Sequence, residues 1–203
     1  LCPTEATTQT VDCPAGHACP SGSSTATACL PGTWSNATGL VRTSQCILCP
    51  AGDTCRVGSV QPQPCSAGTY AHTAGLSACA ACLGGEFQSG IGQTACETCL
   101  AGSFCPQGAA SALPCLAGTF SSQTDLTSAA QCGPCPAGSM CPAGSDEPTK
   151  CSAGTYAHAA GLSACAKCLG GEFQSGIGQT ACETCLAGSF CPQGAASPLP
   201  CLA

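Results

Sequence analysis

Large apolar side chains are scarce in this sequence. Leu, Ile, Val and Phe supply 27 of its 203 residues, well short of the roughly one fifth below which a chain does not build an ordinary core. Charge is scarcer still, at 7% Asp, Glu, Lys and Arg, whereas chains that stay disordered for want of apolar residues are usually rich in charge. Only Arg42, Arg56, Lys150 and Lys167 are strong cations, and the formal net charge is -6. That balance argues against nucleic acid or an anionic lipid surface as a partner. No apolar run approaches the ~20 residues of a membrane span. No stretch keeps a 3.6-residue period for three turns, because Gly or Pro interrupts each candidate helix. A signal peptide is missing too, and the chain opens on Leu1 rather than Met, so we expect a mature or excised part of something longer.

Cysteine is what the chain has in excess, 24 residues of it. Ordering a backbone costs about 1 to 2 kcal/mol per residue, and so little apolar surface cannot offset that alone. Covalent cross-links are the expected remedy, which places the chain in the disulfide-scaffold class and in an oxidising compartment, secreted or on a cell surface. Asn36, the sole asparagine, lies in the acceptor sequon Asn36-Ala37-Thr38, where a secreted protein would carry a glycan on a loop.

The text of the chain repeats. Residues 65–117 and 151–203 differ at three of 53 positions (Thr73/Ala159, Ala81/Lys167, Ala112/Pro198), a period of 86. The match of 29–64 with 115–150 is weaker but keeps every cysteine, which carries the block back to Cys13. We therefore divide the chain into an irregular segment 1–12, blocks 13–98 and 99–184, and the start of a third block, 185–203. Inside the block runs a smaller module: a cysteine, a glycine three residues on and, most often, an aromatic at the fifth. It opens at Cys13, Cys29, Cys49, Cys65, Cys82, Cys99, Cys115, Cys135, Cys151, Cys168 and Cys185, and all eight aromatics of the chain occupy the fifth position. Cys201 opens a further copy.

The simplest pairing joins each opening cysteine to the next one: Cys13–Cys19, Cys29–Cys46, Cys49–Cys55, Cys65–Cys79, Cys82–Cys96 and Cys99–Cys105. It continues with Cys115–Cys132, Cys135–Cys141, Cys151–Cys165, Cys168–Cys182 and Cys185–Cys191. A crossed alternative, Cys99–Cys115 with Cys105–Cys132, fits the spacing as well, since spacing does not determine connectivity. Cys2 lacks an opener and Cys201 a closer, and both are expected to pair beyond this stretch. A glycine fixed three residues after a cysteine implies a tight turn with positive φ. The aromatic two residues later would cover the disulfide and the turn. Modules with 13 or 16 residues between cysteines have room for a two-stranded ribbon, while those with five are expected to hold only a turn. Closing a 15-residue loop contributes about 3 kcal/mol in the chain-entropy model, so the closures together decide whether the chain folds. Since each module would contact mainly its neighbours, the expected fold is a small disulfide-rich repeat. It should be an elongated rod or ladder of short β-ribbons and turns, with little or no helix and no single hydrophobic core.

The openers CLPGTW, CSAGTY, CLGGEF and CLAGTF resemble the ephrin-receptor-like cysteine-rich repeats. They are also similar to the single-disulfide modules of tumour-necrosis-factor-receptor and growth-factor-receptor cysteine-rich regions. The resemblance spans nearly everything from Cys13 to Ala203. It implies an elongated extracellular ladder of disulfides and very short strands, and sequential pairing in the long modules. Residues 1–12 depart from it, with Thr10 where the period asks for cysteine and Cys2 out of register.

Sharper chemistries are weaker readings. Cys79, Cys82, Cys96 and Cys99 have nearly the spacing of a zinc ribbon, repeated at Cys165, Cys168, Cys182 and Cys185, but the module already accounts for all eight. A C-x-x-C redox pair needs a helix N-terminus and a βαβ scaffold to activate it. His17, His72 and His158 stand alone in small-residue loops, and the C-x-C step of calcium-binding EGF modules is absent. We expect no enzyme, no cofactor and no resident metal. The favoured function is a structural segment of an extracellular filament, stalk or surface hair. Its partners would be neighbouring modules of the same longer chain, other copies or filament proteins, and glycans. The alternative is the cysteine-rich ectodomain of a receptor or adhesin that binds a protein ligand, whose site would make one module unlike the rest.

Overall fold

The structure is a computed structural model that describes residues 12–201, so Cys2 and the rest of the N-terminal segment before Asp12 lie outside it. The chain divides into two compact units, Leu1–Ala81 with Gln88–Cys96, and Cys82–Phe87 with Glu97–Ala203. Both are built in one way.

Take the module that opens at Cys115. Residues 116–119 turn back sharply, with the Thr119 N–H donating to the Leu116 carbonyl at 2.9 Å and Gly118 at φ +88°. A turn of this hand requires positive φ at its third residue, where a side chain is strained. Thr119–Phe120 then pair antiparallel with Gly133–Pro134, the two residues just before the next opener, in the register Thr119↔Pro134 and Phe120↔Gly133. Proline is tolerated there because so short a ribbon leaves an edge with no further strand to bond.

Every module among the described residues repeats this ribbon, eleven in all, each strand two residues long. The ribbons include the modules with only five residues between cysteines, for example Asp53–Thr54 with Gln63–Pro64 and Ser139–Met140 with Thr149–Lys150. That corrects the expectation of a bare turn. The span inside the disulfide does not limit the ribbon, because its second strand lies beyond the closing cysteine, directly before the next opener. Among the described residues, helix is confined to two single turns of 3-10 type, Thr43–Gln45 and Ala129–Gln131, one period apart.

Successive modules are joined by main-chain bonds that ignore side-chain identity. The Gly118 N–H donates to the Cys141 carbonyl (2.8 Å), the Cys135 N–H to the Gly118 carbonyl (2.8 Å), and the Gly144 N–H to the Cys115 carbonyl (2.9 Å). In the first unit the same three bonds run from Gly32 to Cys55, from Cys49 to Gly32 and from Gly58 to Cys29. A second contact reaches one module further. A Cβ placed on Gly118 would overlap the carbonyl oxygen of Gly161 and stand 3.0 Å from its carbon, although Gly161 belongs to the next module but one. The glycine therefore does two jobs, supplying the turn's φ and leaving room for a neighbour's backbone.

The interior is cystine. All twelve of the largest side chains below 2% exposure are cysteines that open a module or close one right after the first strand, among them Cys29, Cys55, Cys99 and Cys141. Such interior apolar mass as exists is local: Leu126 sits with Cys115 and Cys132, and Phe104 packs against that group. Phe104 thus covers the disulfide of the module after its own, where the sequence suggested that an aromatic shields its own disulfide. The described residues share no single hydrophobic core.

Candidate functional site

The disulfides are the feature from which any function must be built. Ten pairs are formed: Cys13–Cys19, Cys29–Cys46, Cys49–Cys55, Cys65–Cys79, Cys99–Cys105, Cys115–Cys132, Cys135–Cys141, Cys151–Cys165, Cys168–Cys182 and Cys185–Cys191. Their Cα atoms stand 5.7 to 6.0 Å apart, inside the range a disulfide spans without distortion. Cys82 and Cys96 are also disulfide-bonded, and Cys201 is exposed and forms no disulfide among the described residues. The bridges take two forms. In short modules the closer follows the first strand directly, and in long ones it precedes the second strand directly. Either way the opener is tied to one limb of the ribbon.

The eight cysteines with zinc-like spacing are separated by these bonds. Cys79 is held by Cys65 and Cys99 by Cys105, and the second set is divided among Cys151–Cys165, Cys168–Cys182 and Cys185–Cys191. No group of three or more metal-binding side chains gathers among the described residues. His17 is half-buried with Nδ1 3.1 Å from the Ala15 carbonyl. His72 and His158 are exposed and lean on Tyr70 and Tyr156 at ring-centre distances of 6.2 and 6.4 Å. Asn36 lies exposed in the turn after Thr33–Trp34. The turn is shaped by buried Ser35, whose hydroxyl accepts the Ala37 N–H at 3.1 Å.

One recurring residue escaped the sequence reading: a second glycine, nine or ten residues after each opener, whose N–H bonds the previous opener's carbonyl. Gly58, Gly75, Gly144 and Gly161 are examples, and all have positive φ. Asp125 takes the position in the Cys115 module, at φ 61°, with its N–H on the Cys99 carbonyl at 2.9 Å. The signal was present as a Gly at every such position but this one; its spacing varies by one residue, which hid it. The sixth position after the opener is also structural. Cys, Ser, Ala or Gln stands there, and its carbonyl receives the previous module's glycine N–H. Where it is glutamine, the side chain is buried and clamps the loop beyond: Gln88 Nε2 donates to the Ala95 carbonyl (2.7 Å) and Oε1 accepts the Gly90 N–H (2.9 Å). Gln174 repeats this with Ala181 and Gly176.

Disulfides at this density persist in oxidising surroundings, and no helix among the described residues is long and apolar enough to cross a membrane. Comparison with protein families matches residues 68–112 to the family described as tyrosine-protein kinase ephrin type A/B receptor-like. A search of curated proteins finds no match to the chain. The matched segment holds one whole module and parts of two others, and its near-copy lies one period on. With the receptor-like family and the cross-link density pointing to an extracellular location, the chain carries the ephrin-receptor-like cysteine-rich repeat, matched directly at residues 68–112 and flanked on both sides by modules of the same build.

Proposed function

We propose that this chain is a structural, non-catalytic segment of an extracellular filament, stalk or surface hair, in which the number of modules sets length and stiffness. The observation that supports the reading is the main-chain ladder. Each module binds the next through the backbone of cysteine and glycine, so a module can be added without new side-chain complementarity, as in other repeat arrays. The partners on this reading are neighbouring modules, other copies or filament proteins, and a glycan on Asn36, which is exposed to receive one.

Small-angle scattering tests it. A compact globule of 203 residues would have a radius of gyration of about 17 Å. We expect a clearly larger value, and a maximum dimension that grows by equal steps in chains carrying one, two and three blocks. A radius near that of the globule, or growth with the cube root of mass, overturns the proposal. Imaging of the full-length protein separates it from the alternative: repetitive fibres support the spacer, and isolated ectodomains holding a protein ligand support the receptor.

A further inference from the structure

We infer that the groove between the Cys49 and Cys65 modules, with its copy one period on, is a binding site for a carboxylated saccharide. The first groove encloses about 650 Å³ and is lined by Thr54, Arg56, Ser59, Gln63, Ser66 and Ser77, among others. That volume lies in the range of small-molecule sites, roughly 300 to 1,000 Å³. The side chains of Arg56, Ser59, Ser66 and Ser77 enter no hydrogen bond or ion pair among the described residues. A guanidinium and three hydroxyls therefore face the groove with their bonding capacity unspent.

The copy lies in the second unit, about 380 Å³, lined by Met140, Thr149, Lys150, Ser152, Thr155 and Ala164. These are the positions of Thr54, Gln63, Pro64, Ser66, Thr69 and Ala78, each 86 residues later. Arg56 becomes Pro142 in the copy, yet Pro64 becomes Lys150, so a cation returns from a different wall of the same groove. Four strong cations serve the whole chain, and two of them stand in these two grooves. That placement is the second observation.

The chemistry of the walls selects the ligand. One cation per groove matches one negative charge: the Arg56 guanidinium can grip a carboxylate in bidentate fashion, and the Lys150 ammonium meets it as a point charge. In the first groove the hydroxyls and the Gln63 amide match a ring bearing several hydroxyls. In the copy Thr149 replaces the amide and the Thr155 hydroxyl donates to the Ser152 carbonyl at 2.7 Å, so the copy offers fewer free groups. No aromatic and no branched aliphatic side chain lines either groove, so neither offers a ring for an apolar ligand to stack on. The chain's net charge of -6 repels a polyanion.

The test titrates the intact, oxidised chain with methyl glucuronide, followed by amide chemical shifts. Methyl glucoside supplies the ring without charge, and acetate the charge without the ring. We expect saturable shifts at Thr54, Ser66 and Ser77 and at Ser152 and Thr155, with glucoside and acetate each at least tenfold weaker. Arg56→Gln should weaken the first groove at least tenfold and spare the second; Lys150→Gln should do the reverse. Both side chains are exposed, and unchanged amide shifts at Gly118 and Gly161 verify that each variant folds. Acetate binding as tightly as the glucuronide reduces the site to an anion hold and overturns the inference. Glucoside binding equally well, or no saturable shift at all, overturns it too. The scattering dimensions of the chain are independent of each of these results.

Discussion

Gly118→Ala and Gly171→Ala form a matched pair that isolates the contact between next-but-one modules. Both glycines sit at φ +88°. Each N–H donates to the sixth-position carbonyl of the following module, Cys141 at 2.8 Å and Cys191 at 2.9 Å, and each carbonyl accepts an opener N–H at 2.8 Å, from Cys135 and from Cys185. They differ in their surroundings: among the described residues, a Cβ on Gly118 meets the Gly161 carbonyl, and a Cβ on Gly171 meets nothing within 4 Å. The strain of a side chain at positive φ, about 1 to 2 kcal/mol, is common to both. Overpacking adds about 1 to 3 kcal/mol at Gly118 only. Hydrogen exchange of the amides bonded to the two carbonyls, Cys135 and Cys185, reads local opening directly. The Cys135 amide should be accelerated about 5- to 150-fold more than the Cys185 amide, the factor that this difference converts to. Equal acceleration at the two amides would show that the close approach of Gly118 to Gly161 carries no energy, and the account of why this position must be glycine would fail.

Other expectations follow from single residues. Trp34 Nε1 is buried without a hydrogen-bond partner, a state that costs about 1 to 3 kcal/mol, and the same position one period on is Phe120. Trp34→Phe should leave the thermal midpoint unchanged or raise it; a clear fall would refute the orphaned donor. Asp125→Gly should be tolerated, while Asp125→Val, β-branched at φ 61°, should cost about 2 kcal/mol, read from exchange of the residue-125 amide. Gln88→Leu should cost about 1 to 3 kcal/mol by unbinding the loop at Gly90 and Ala95, with Gln174 as the internal control. Reductant should erase amide dispersion across all ribbons, since cystine is the interior, and chelator should leave it untouched. Unfolding by chelator alone would mean that thiolates hold a metal.

What the sequence reveals here follows from which atoms bear the fold. Cysteine, the first glycine and the aromatic at the fifth position are side-chain choices, or the enforced lack of one, and they stand out as a repeat. The ribbon in short modules did not stand out, because the disulfide span of Cys49–Cys55 suggested a closed turn while the partner strand Gln63–Pro64 lies outside it. The sixth position hides more deeply: its carbonyl does the bonding, so Cys55, Ser35, Ala71 and Gln88 serve equally and leave no residue type to notice. The grooves are least legible of all. Arg56 and Ser77 come together only when two modules stack, and no spacing within one module announces it.

The ten bridges named above join cysteines 6, 14 or 17 positions apart in the chain. Pulled from its two ends, the oxidised molecule can surrender only the slack between bridges, so even with its ribbons torn open it stops far short of full contour length. A chain cross-linked in this way takes tension on sulfur rather than on hydrogen bonds, and reduction of its bridges would turn a short inelastic strap into a long soft spring.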